Sequence, residues 1–217
     1  VPEAKAMFEW AHVLHRQMYD VLADERLSRT ERDGEVARLL AYYRSRPDVA
    51  FSSHPKSMEL MEGQPYSLAF RRRYPKFNGL IWAYHWLQVG LYEPLLVGGS
   101  VEERQALVGA TVARFWQMLG DAPRTMPHQM PMTAAIAPRF AERYPEAAII
   151  FDNLHSMHDV ISDILADDGV PRGPPAEHQH GQTPARAPTG QEGHARRDST
   201  MSPHVHIMMR LQERLLA

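Results

Sequence analysis

Apolar residues recur every three to four positions along most of the chain, and no stretch alternates long enough to predict a strand. Phe8, Ala11, His15, Met18 and Leu22 mark one face of a helix that opens at Pro2 and Glu3 and runs to about Asp24. Ser28 or Thr30 is placed to cap a second helix, which ends before Pro47. Between Asp48 and Lys76 the pairs HP, QP and YP interrupt the pattern, predicting an ordered loop with short helical pieces around 56–62 and 66–74. Asn78 reads as the N-cap of GLIWAYHWLQVGLYEPLL, a helix to Leu96 that is apolar on nearly every side and kinked by Pro94 near Glu93. Ser100 and Glu103 have capping-box spacing before a helix whose inward face is Leu107, Val108, Val112, Phe115, Met118 and Leu119.

After a Pro-rich loop, DAPRTMPHQMPM, Thr133 reads as the cap of a short helix through Arg143. Pro145 then occupies the first turn of a helix to about Asp167. The fold class is therefore all-α: an up-and-down helical bundle of four or more main helices over residues 1–168. Residues 169–201 have the composition of a low-complexity linker or tail, rich in Pro, Gly, Gln and Arg. Residues 202–217 follow as a C-terminal amphipathic helix with Val205, Met208, Leu211 and Leu215 on one face.

Composition narrows the chemistry. A formal charge of -2 from 24 basic and 26 acidic side chains provides no footprint for nucleic acid, and Arg71 to Arg73 is too short a basic run to alter that. The central apolar helix approaches the length of a membrane span, but His85, Gln88 and Glu93 inside it would be costly in lipid, so it reads as a buried helix. Cysteine is absent, while methionine and histidine each number 12. A metal in this histidine-rich, methionine-rich chain must use imidazole, carboxylate or thioether ligands, and covalent c-type haem is excluded. The start at Val1 fits a processed, exported chain, periplasmic or secreted.

Two helices carry the same polar spacing. In the first, Glu9, His12, His15 and Tyr19 form a stripe bordering the apolar face; in the last bundle helix, Asp152, His155 and Asp159 repeat it, with His158 close by. An acid and a histidine three residues apart reach one ion from a single helical turn, and two such pairs on facing helices supply four ligands. Glu9-x-x-His12 resembles the Glu-x-x-His element of ferritin-like di-metal bundles, and Asp152-x-x-His155 is similar with the shorter acid. The resemblance covers only those two four-residue pieces, and it implies a further carboxylate from each of two other helices. Glu93 is the single such acid inside an apolar run, and the helix after Ser100 offers none beyond its first turn. The expected ligands are thus Glu9, His12, Asp152 and His155, with His15, His158 and His85 next.

His85, Gln88 and Tyr92 fall near one side of the central helix and would line a polar pocket, whereas Glu93 sits about 12 Å from His85 at ~1.5 Å rise per residue. Against a metal stands the ordinary role of a histidine on an apolar helix, a hydrogen-bonded boundary residue. Asp163, Asp167 and Asp168 read as a solvated face. The loop from Met126 to Met132, with His128 among methionines, offers soft ligands for Cu(I), joined by His54, Met58, Met61 and the HQH and HVHIMM pieces of the tail. The competing role for those methionines is to fill irregular packing gaps. There is no phosphate loop, nucleophile elbow or HExxH.

The sequence thus points to a metal-binding bundle with a His/carboxylate centre, serving redox chemistry or metal handling. Iron or copper leads, zinc or manganese follows, and non-covalent haem is the lesser alternative. The rival reading is a non-catalytic accessory subunit that docks to a protein partner, or to copies of itself, through its tail and C-terminal helix.

Overall fold

The structure is a computed structural model that describes residues 2–55, 68–128 and 130–170. The helical piece expected at 56–62, Met58 and Met61, the linker with its HQH element and the C-terminal helix lie outside the described residues. Among the described residues the fold is all-α, with no strand. Its long helices are α1 (Pro2–Ala23), α2 (Arg29–Arg44), α4 (Pro75–Gly90), α6 (Val101–Gly120) and α9 (Pro145–Ala166). Short helices join them: α3 (Ala69–Arg73), α5 (Tyr92–Val97), α7 (Thr133–Ile136) and α8 (Pro138–Arg143). No helix among the described residues is long and apolar enough to cross a membrane.

The apolar spacing explains what packs. Ala11, Leu14, Met18 and Leu22 of α1 share one face and are buried with Val36, Leu40 and Tyr43 of α2 and with Ile150, Phe151 and Leu154 of α9. Burying a side chain of that size stabilises the fold by about 1.5–3 kcal/mol. α1 lies against both α2 and α9, and α4 lies against α6, on which Phe115 and Met118 are buried. Ser28 caps α2 with a complete capping box: its hydroxyl accepts from the Glu31 N–H, and the Glu31 carboxylate accepts from the Ser28 N–H.

Several boundaries differ from the expectation. Helix α4 begins at Pro75, a turn before Asn78, because proline is suited to the first helical position. Asn78 is therefore inside the helix and 1 % exposed. It is satisfied by tertiary partners, with Nδ2 donating to the His128 carbonyl at 2.8 Å and Oδ1 accepting from Trp82 Nε1 at 2.9 Å. The central helix breaks at Leu91 rather than bending, since Pro94 has no N–H to offer the carbonyl of Gly90. The single helix expected from Thr133 to Arg143 is likewise divided before Pro138. Ser100 does accept from the Glu103 N–H at 3.1 Å, but the Glu103 carboxylate reaches back to Gly99, one residue beyond the expected box.

Acids on the apolar helices account for the short helices. None of α3, α7 and α8 has a capping side chain at its own N-cap. Asp163 of α9 accepts from the N–H groups of Leu68 and Phe70 at 3.2 and 2.8 Å. Asp152 accepts from the Thr133 N–H at 2.8 Å and its hydroxyl at 2.7 Å. Glu93 accepts from the N–H groups of Arg139 and Phe140 at 3.0 and 3.2 Å. Each carboxylate satisfies donors that a helix start leaves unpaired. Asp163, expected on a solvated face, is 1 % exposed for this reason.

Candidate functional site

Three helices direct histidines to one region of the interior. α1 contributes His12 and His15, α4 contributes His85, and α9 contributes His155 and His158. The His85 ring centre lies 4.8 Å from that of His155 and 4.8 Å from that of His158, edge-on to both. His15 lies 6.4 Å from His155 and 6.2 Å from His12. The cluster is closed by aromatic rings: His15 stacks on Phe151 at 3.6 Å, and Phe8 covers His158 at 4.2 Å.

Hydrogen bonding divides these imidazoles. His85 Nδ1 sits 2.7 Å from the Ile81 carbonyl and His12 Nδ1 sits 2.6 Å from the Phe8 carbonyl, each one turn earlier on its own helix. A carbonyl can only accept, so Nδ1 carries the proton in both, and the neutral ring of His85 keeps its lone pair on Nε2. That is the tautomer metal-ligating histidines adopt when their outer nitrogen is anchored. His15 Nδ1 pairs with the Tyr92 hydroxyl at 2.7 Å, leaving Nε2 buried without a partner. His155 is 3 % exposed, and neither of its ring nitrogens has a hydrogen-bond partner.

Burial sets the electrostatics. Desolvation lowers His15 and His155 well below the ordinary imidazole value, and the neighbouring histidines push in the same direction. His85 is lowered to about 4 and His158 to about 3, again first by desolvation. The same burial raises the Tyr92 and Tyr19 phenols. Tyr19 donates to the Gln88 carbonyl, and its ring stacks on Tyr92 at 4.6 Å. Burial therefore holds His15, His85, His155 and His158 in the neutral form that a metal ion requires.

The two expected carboxylates sit elsewhere. Glu9 is exposed and pairs with Lys5 at 3.3 Å, because its position on α1 faces outward from the packed stripe. Asp152 is committed to Thr133, as described above, and burial raises its carboxyl above the ordinary range. Asp159, adjacent to His158 in sequence, pairs with Arg71 at 2.9 Å. Among the described residues, no group of three or more His, Asp or Glu side chains is disposed to hold a metal ion with the rings as they stand.

Methionines of the Pro-rich loop take part in packing. Met126 and Met130 are buried, Met126 packing on Gly79 so closely that a Cβ there would fall 2.8 Å from the Met126 Cβ. His128 and His54 are exposed. Tyr92, which the pattern placed beside His85, instead bonds His15 across the α1 interface; nothing in the spacing along α4 and α5 signals that pairing. Comparisons with family models, curated proteins and solved structures find no match for the chain.

Proposed function

We propose that the chain binds a single transition-metal ion through the imidazoles of His85, His155 and His158, with His12 and His15 as neighbouring donors. The observation that carries this reading is His155, a buried imidazole with both nitrogens unpaired. Leaving a buried polar atom unsatisfied costs about 1–3 kcal/mol, so such groups are rare unless a ligand uses them. Imidazoles sharing a tetrahedral ion at about 2.0–2.1 Å from nitrogen have ring centres about 5 Å apart. The separations of 4.8 Å around His85 agree with that spacing. Binding requires the rings to turn until their nitrogens face one point, and His155 breaks no hydrogen bond in turning.

The donor set favours some ions over others. Imidazole suits copper, zinc and iron, whereas manganese prefers the carboxylate oxygens that are engaged elsewhere. With no carboxylate bonded to the histidines among the described residues, an added charge stays unbalanced, and monovalent copper adds least. Copper handling or a copper redox role is therefore the first reading, with iron and zinc after it. Rings packed edge-on at 4.8 Å favour an ion over the macrocycle of haem. The accessory-subunit alternative rests on the apolar central helix and on a tail and C-terminal helix whose residues after 170 lie outside those described.

Elemental analysis of untagged protein, purified without chelators, tests the reading. It predicts about one equivalent of copper, iron or zinc per chain, and its loss in His155→Ala. Metal-free protein that also takes up no added Cu(I), Fe(II) or Zn(II), or undiminished metal in the variant, would refute it.

A further inference from the structure

A cleft of about 770 Å³ borders α2, α5, α6 and α8, and none of the clustered histidines lines it. Its volume falls within the range of small-molecule pockets, about 300–1,000 Å³. Arg29, Arg32, Arg104, Arg139 and Arg143 all line the cleft, with Glu142 the acid among the lining residues. Leu95 and Leu96 supply an apolar wall.

The partners of these arginines do not balance their charge. Arg143 is held by Asp33, with Nε 2.8 Å from Oδ1. Arg104 reaches Glu25 only at 3.4 Å, and Arg139 meets Glu142 at 3.3 Å with both side chains largely exposed. Arg32 donates to the Asp24 backbone carbonyl at 2.9 Å, and the nearby Asp24 carboxylate, which feels its charge, is itself paired with Arg26. Arg29 makes no side-chain hydrogen bond among the described residues, although its charge helps hold the Asp33 carboxyl low. A concave wall with this surplus concentrates anions from solution.

We propose that the cleft binds a phosphomonoester carrying an apolar organic group. Guanidinium forks match phosphate oxygens in pairs, and a phosphate near its dianionic state answers a surplus that a monocarboxylate would only halve. The Leu95 and Leu96 wall takes the apolar portion. The arginines come from positions between 29 and 143, so no local motif announces the site.

Calorimetric titration of the full chain with phenyl phosphate, inorganic phosphate and benzoate, at matched ionic strength, tests this. Phenyl phosphate is expected to bind most tightly. A variant carrying Arg29→Ala and Arg139→Ala, which removes the two arginines least engaged in the fold, is expected to bind it about tenfold or more weakly, through lost charge-assisted bonds. Arg29→Lys, which keeps the charge without the fork, should lose less. Equal binding by the double variant, or phenyl phosphate binding no tighter than benzoate or inorganic phosphate, overturns the proposal. Vesicles containing phosphatidic acid separate the two sources of a phosphomonoester: adsorption of the chain without affinity for soluble phenyl phosphate also overturns it.

Discussion

At the residue scale, His155 and Tyr92 carry opposite expectations. His155 satisfies neither ring nitrogen in the fold, so an apolar side chain of similar volume would remove a penalty. His155→Leu is therefore predicted to stabilise the metal-free protein by about 1 kcal/mol in urea denaturation while abolishing metal uptake. A destabilised variant would mean that the imidazole is a structural residue. Tyr92→Phe has the reverse sign, because it removes the 2.7 Å bond to His15 and leaves a second imidazole nitrogen unpaired. A loss of about 1–2 kcal/mol is expected in the same measurement. The histidines themselves were legible in the sequence because they fall at helical spacing on apolar faces. The role of the acids beside them was not, since spacing along one helix cannot reveal which helix start lies opposite.

That limit is clearest at the scale of elements. Asp152, Asp163 and Glu93 stand on apolar helices, where their charge suggests either a functional site or a solvated face. Each instead receives the N–H groups of a short helix that lacks its own cap. Long helices were readable from periodicity, and Ser28 and Pro145 marked their starts. The short ones depend on tertiary partners, and prolines at 94 and 138 divide helices that the apolar pattern runs together. Asp163→Ala should leave the Leu68 and Phe70 N–H groups unpaired, destabilising the protein by about 1–2 kcal/mol. Hydrogen exchange at Phe70 should accelerate more than exchange within α1; equal effects on both would show that Asp163 acts globally rather than as a cap.

For the whole molecule, a cluster of buried neutral histidines makes stability depend on pH. Above the ordinary imidazole value of 6.5, these groups are neutral both folded and unfolded. As pH falls through about 6.5, the unfolded chain takes up protons that the fold refuses until about 4 at His85 and about 3 at His158. The unfolded state then binds more protons, so stability must fall between pH 6.5 and 4. A group with the shift of His85 contributes a loss of about 2 kcal/mol at pH 5 relative to pH 8. Denaturation midpoints of chelator-treated protein across that range should therefore decline, and a flat profile would indicate that the histidines are not buried as described.

X-ray absorption of the copper-loaded protein reads directly whether the ion is held by imidazoles of α4 and α9. Two to four nitrogen donors at about 2.0 Å, with the multiple-scattering pattern of imidazole, are expected. A shell dominated by carboxylate oxygen or thioether sulfur would contradict that reading.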